Sequence, residues 1–166
     1  MRFSDKRIIT RLLESGWFDG RNILKNLEFP IEGYPLDAKK FLQEYGLLKV
    51  QDVEYDNEYQ RYIASYFEIN PMIGKGHYDS DGDFTYYSSI LGKQIFNLGY
   101  FKPDGYYICC DVDGRVYKIG EYCFYVGVDL YEGIENILLM NTLKSLQLDE
   151  DTGKWWNMDG EYVKLP

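Results

Sequence analysis

The residues best equipped for chemistry in this chain are acidic. Asp79-Ser80-Asp81-Gly82-Asp83 opens like a calcium loop, in which alternating side-chain oxygens converge on a hard cation. Such a loop also requires a glycine at its sharp turn and a bidentate glutamate at its end. Counted from Asp79, those places hold Phe84 and Ile90, so calcium is not expected there. Asp111-Val112-Asp113-Gly114 looks similar and is better explained as a hairpin turn. His77 is the only histidine, and no cysteine stands at ligand spacing from it. That removes zinc hydrolase, zinc deaminase and Ser/His/Asp mechanisms. Gly74-Lys75-Gly76 lacks the rest of a phosphate-binding loop and does not lead straight into a helix. A carboxylate pair for glycoside hydrolysis stays open, because separations are not written in a sequence. Trp17 reads as a core anchor, and Arg21 and Arg115 read as structural. The residues therefore describe a domain without an active site, and no metal or cofactor is expected.

The chain has 166 residues, 17 tyrosines and a net charge of −9, enough length for one domain with a sizeable core. The charge is uneven. Residues 1–50 carry nine Lys/Arg against seven Asp/Glu, residues 51–100 three against eight, and residues 101–166 six against twelve. Direct nucleic-acid binding, which rests on cations meeting phosphate, is not expected. A basic protein partner is compatible with this balance, as is an acidic surface that serves solubility. No apolar run approaches the length of a membrane span, and the N-terminus is charged where a signal peptide is apolar. Cys109, Cys110 and Cys123 have no metal-like spacing and read as reduced thiols packed in a cytoplasmic protein.

The elements that must position these residues can be taken in chain order. Ser4 or Asp5 caps a first helix with Ile8, Ile9, Leu12 and Leu13 on one face, ended by Gly16. Gly16-Trp17-Phe18-Asp19-Gly20-Arg21 is a tight connector whose indole packs on that helix. Residues 22–33 read as loop anchored by Ile23, Leu24 and Leu27. Tyr34-Pro35 opens a second helix, with Pro35 in the first turn, inward-facing Ala38, Phe41, Leu42 and Tyr45, and Gly46 at its end. Strands follow over 47–55, with an acidic edge of Asp52, Glu54, Asp56 and Glu58, and over 59–69, stopped by Asn70-Pro71. Asp83 caps a third helix through Tyr86, Tyr87, Ile90 and Leu91, ended by Gly92. A short strand is expected over 94–98, a turn at 102–105, and a strand over 122–128. Asp129 caps a last helix that turns Ile134, Ile137, Leu138 and Met140 inward. The tail reads as strands over 145–149, 154–158 and 161–165, added to the sheet edge.

The centre of the sheet is the run Tyr106 to Ile119. Two strand-like stretches, 107–112 and 115–119, flank Asp113-Gly114, the strongest short-range hairpin signal. A two-residue loop there would set Cys110 against Tyr117 and Ile108 against Ile119. It would place Ile108, Cys110, Tyr117 and Ile119 on one face, and Tyr107, Cys109, Val116 and Lys118 on the other. Hairpin-linked strands with segregated helices make an α+β fold, a single domain whose largely antiparallel sheet is packed by N-terminal, middle and C-terminal helices.

Several motifs in order carry a resemblance. Gly16-Trp17-x-x-Gly20-Arg21 is followed by Tyr34-Pro35 and Ala38-x-x-Phe41-Leu42-x-x-Tyr45-Gly46-Leu47. Then come Phe67-x-Ile69-Asn70-Pro71, Tyr87-x-x-x-Leu91-Gly92-x-x-Ile95-Phe96-x-Leu98-Gly99 and Asp111-x-x-Gly114-Arg115-Val116-Tyr117. Together they resemble the third subfamily of SUKH-type bacterial immunity proteins over residues 3–140, with Trp17, Gly20, Arg21, Pro35, Gly46, Pro71, Gly92, Gly114 and Arg115 as its structural positions. Asn70 stands where that pattern often has Asp. Residues 1–143 would form the SUKH-like domain and residues 144–166 an extension outside the pattern. The resemblance implies an immunity protein of a polymorphic toxin system, held in the producer's cytoplasm. It would bind a cognate toxin, a nuclease or nucleic-acid deaminase with a basic substrate groove, and would have no catalytic residues. The expected contact surface is Asp79, Asp81 and Asp83 with His77, Tyr78 and Tyr86, and next the edge Asp52, Glu54, Asp56 and Glu58. The alternative is a non-catalytic adaptor of the same fold bound to another host protein.

Overall fold

The computed structural model describes residues 3–24, 31–58, 60–102 and 104–166, and only the backbone of residues 53–56 and 61–64. Leu27, Tyr59, Pro103 and the side chains of Glu54 and Asp56 lie outside the described residues. The elements run α1 (Lys6–Glu14), α2 (Leu36–Tyr45), β1 (Lys49–Asp56), β2 (Arg61–Glu68), α3 (Asp83–Leu91), β3 (Ile95–Lys102), β4 (Tyr106–Asp111), β5 (Val116–Ile119), β6 (Cys123–Gly127), α4 (Leu130–Leu138), β7 (Leu146–Asp149), β8 (Lys154–Trp156) and β9 (Tyr162–Val163). The nine strands form one sheet in sequence order, each antiparallel to the next. The α+β antiparallel architecture expected from the sequence is the one observed. The tail strands join it through β6 and β7, where Tyr125 faces Leu146.

The local reasons are readable at the helix ends. Asp5 caps α1 by accepting from the Arg7 backbone N–H, and its ion pair with Arg7 holds its carboxyl down at about 2. Asp129 caps α4 by accepting from the N–H groups of Tyr131 and Glu132. Pro35 sits one place earlier than expected, at the cap of α2, where its missing N–H also costs nothing. Trp17 is buried and stacks on Tyr45 at 6.2 Å, with its indole N–H donating to Glu44 at 3.2 Å. Arg21 donates to the carbonyls of Glu44 (2.6 Å) and Gly46 (2.8 Å), which have no partner inside the ending helix. Leu13 and Met140, expected inward, are 53% and 55% exposed; Ile8 and Leu12 alone carry the buried face of α1.

Both faces of the sheet are covered. On the first face, α1, α2 and α4 bury Ile8, Leu12, Phe41, Leu42, Ile134 and Ile137 against Val50, Phe67, Ile108, Cys110 and Val116. On the second, Phe84 and Tyr87 of α3 pack with Ile95, Cys109, Tyr117, Ile119, Cys123 and Trp155. The sheet curls enough for Pro166 O to accept from Arg115 Nη2 at 3.1 Å.

The central hairpin corrects the expected register. Cys110 faces Val116, Cys109 faces Tyr117 and Tyr107 faces Ile119, one residue away from the expected pairing. The faces are therefore Ile108, Cys110, Val116 and Lys118 against Tyr107, Cys109, Tyr117 and Ile119. The cause is Asp111. Its carboxylate is fully buried, and Oδ1 accepts from the N–H groups of Asp113 (2.9 Å) and Arg115 (3.0 Å) while Oδ2 accepts from Tyr117 Oη (2.9 Å). With Gly114 N–H donating to Asp111 O and Gly114 at φ 87°, the loop has three residues, a turn closed by a left-handed glycine. A two-residue loop would have left that carboxylate without its donors.

Candidate interaction surface

The acidic loop is built by its neighbours. His77, at the end of a 3₁₀ turn (Lys75–Tyr78), lies 4.8 Å from the Tyr107 ring and 5.3 Å from Phe84. Its Nδ1 meets Asp83 Oδ2 at 3.1 Å. The chain closes between them: Gly82 N–H donates to Asp79 O, and a Cβ at Gly82 would sit 2.2 Å from His77 O. Only glycine fits there, so Gly82 rather than Asp83 is the cap residue of α3, and Asp83 is the first helical residue. Asp83 still favours the positive helix end. Asp79 and Asp81 are exposed on this closed loop.

The two tyrosines behave oppositely. Tyr78 turns its hydroxyl inward, accepting from Asn97 N–H at 2.6 Å and meeting Tyr34 Oη at 3.3 Å. Burial pushes it up to about 12. Asn97 was not singled out in the sequence and is the node of this region. Fully buried, it donates to Pro71 O (3.2 Å) and Ile73 O (2.6 Å), accepts from Gly99 N–H, and its own carbonyl accepts from Tyr34. Its only sequence signal is a lone amide inside the apolar run Ile95-Phe96-Asn97-Leu98.

Tyr86 faces outward and donates to Glu150 Oε2 at 2.8 Å, while Tyr87 donates to Glu150 Oε1 at 2.6 Å. The carboxylate acceptor, with burial, raises both phenols, burial leading for Tyr87 and Glu150 for Tyr86. The turn between β7 and β8, with Glu150 and Asp151, thereby lies beside α3, although some sixty residues separate them in sequence. It extends the acidic surface in a way the local pattern did not suggest. The second expected patch differs: Asp52 is 2.5 Å from Arg11, whose guanidinium also donates to Leu138 O, and Glu58 is exposed in the turn after β1. Among the described residues no group of three or more His, Cys, Asp or Glu is arranged to hold a metal. No helix among them is long and apolar enough to cross a membrane.

A family profile described as SUKH-3 immunity protein matches residues 4–140. The chain belongs to this family. No curated protein and no solved structure matches it. SUKH-3 membership gives the chain an immunity role and implies a cognate toxin as its binding partner. The match ends two residues after α4, so β7 to β9, with Glu150, lie outside it while belonging to the same sheet.

Proposed function

We propose that this SUKH-3 protein binds and neutralises a basic toxin domain, a nuclease or nucleic-acid deaminase of a polymorphic toxin system, in the cytoplasm of the producer. It does so by occlusion, without catalysis. The observation that carries the reading is Tyr86, which stands out from α3 and donates to Glu150 next to Asp151, on the helix that the exposed Asp79 and Asp81 precede and Asp83 begins. Carboxylates of one sign speed encounter with a cationic groove, and a tyrosine adds rigid contact area with a polar tip. The cysteines fit a reducing compartment: all three are free and buried, and burial raises each thiol.

The test is co-expression with the toxin domain encoded beside this protein, read as growth and as a recovered complex. Rescue by the native chain, lost when Asp79, Asp81 and Glu150 are each changed to Lys, supports the reading. Rescue that survives these reversals moves the contact elsewhere. Neither rescue nor complex with any neighbouring toxin favours an adaptor that binds another host protein.

A further inference from the structure

We propose that the chain carries a small-molecule site, a slot beside the end of β6 that takes an uncharged, mainly apolar compound with one carbonyl oxygen. The slot follows from an incomplete ladder. β6 runs from Cys123 to Gly127, but β7 pairs with it only at Phe124 and Tyr125. Beyond Tyr125 the two strands part. The last residues of the chain line the far side, and Pro166 O accepts there from Arg115 Nη2 at 3.1 Å. A cavity of about 480 Å³ remains, walled by Val126, Val128, Leu146, Val163 and Pro166. Ordinary ligand pockets span roughly 300–1,000 Å³ and are apolar with a few placed polar groups.

The placed polar group here is the Tyr125 hydroxyl. Tyr125 is 3% exposed and lines the cavity, and its hydroxyl has no hydrogen-bond partner among the described residues. The oxygen is not sealed in the core but opens on the slot. Tyr87 and Tyr117, in the same apolar cluster, give their protons to Glu150 and Asp111. A buried polar group left unpaired is costly and uncommon. Burial first, and then the Glu132 carboxylate, raise the Tyr125 phenol above its ordinary 10.0, so it keeps its proton. It offers a donor, and an acceptor completes it.

The remaining groups select the occupant. Glu132, at the rim, is neutralised by Lys144 at 3.0 Å, and Lys164 is exposed to solvent, so an ion finds no opposite charge inside the slot. A peptide strand is not the occupant either, because α4 takes backbone groups of β6 that it would need. Val126 O accepts from Asn136 Nδ2 at 2.8 Å, and Val128 N–H donates to Glu132 Oε2 at 2.9 Å. Apolar walls and one O–H are what is left, and a neutral carbonyl compound meets both.

The experiment is an amide-shift titration of the isotope-labelled full chain with acetophenone, and with ethylbenzene, which has nearly the same shape without the carbonyl. Acetophenone is expected to shift the amides of residues 125–128, 144–146 and 163–165 saturably. It should bind about tenfold tighter than ethylbenzene, the worth of one buried hydrogen bond. Tyr125→Phe removes a hydroxyl that bonds nothing in the chain, so its urea midpoint should stay near native while the preference between the probes disappears. Val128→Trp, at the exposed rim, should block both probes. Absence of saturable shifts at these residues, equal binding of the two probes, or binding that survives Val128→Trp each overturns the proposal. So does a preference that survives Tyr125→Phe, or a large loss of stability in that variant. Toxin binding plays no part in these readouts.

Discussion

At the scale of single residues, the load falls on polar groups that satisfy buried backbone. Arg21 holds two carbonyls at the end of α2. Arg21→Ala should destabilise the chain by about 1.5–3 kcal/mol in urea unfolding, and Arg21→Lys should recover only part, because an ammonium lacks the fork that reaches both oxygens. Asp111→Ala should cost about 3 kcal/mol or more, since two N–H groups and the Tyr117 hydroxyl lose their acceptor together. Tyrosines set an alkaline limit. Tyr34, Tyr78, Tyr87 and Tyr117 all have phenols raised above the ordinary 10.0, with burial the first cause in each. Below pH 10 both states keep these protons. Above it the unfolded chain loses them first, so stability falls as pH rises from 10 through 12. An alkaline titration followed by tyrosinate absorbance and circular dichroism should show the phenols of these four tyrosines ionising only as the chain unfolds; ionisation of all 17 tyrosines in a chain that stays folded would refute this. Arg21 was legible because a bracketed Trp and a following guanidinium form a local pattern. Asn97 was not, because its partners at Pro71, Ile73, Tyr34 and Tyr78 are all distant in sequence.

At the scale of elements, helices were read closely and strand register was not. Helix faces follow from a period, and caps from adjacent residues, so Ala38, Phe41, Leu42 and Tyr45 were placed correctly. The hairpin at Asp113-Gly114 was found, but its loop length depends on where a buried Asp111 finds its donors. One residue of slip then exchanged Tyr117 and Ile119 for Val116 and Lys118 on the first face. The same limit hid the β7–β8 turn beside α3, a contact made by tertiary curl. Glu150 is the tie that holds the tail hairpin there. Glu150→Ala should lower hydrogen-exchange protection of β7 to β9 while leaving β3 to β5 unchanged, at about 1–3 kcal/mol. Equal loss across all the strands would mean that the tail is not held as a separate unit. Gly82→Ala should distort the acidic loop, since its Cβ would meet His77 O. A lower urea midpoint together with weaker toxin binding is the expected result, and a chain unchanged in both would contradict it.

At the scale of the whole molecule, surplus negative charge and the SUKH-3 family point the same way. The acidic, tyrosine-bearing side near α3 is proposed for the toxin. The most direct test of the toxin-binding account is the affinity and association rate of the purified chain for its cognate toxin domain, at low and high salt. The account predicts a tight complex whose association slows as salt rises, and a loss of about tenfold or more in affinity, mostly in association rate, on Asp79→Lys with Asp81→Lys. A complex indifferent to both salt and these reversals would contradict the acidic surface, and absence of any complex would contradict the immunity reading itself.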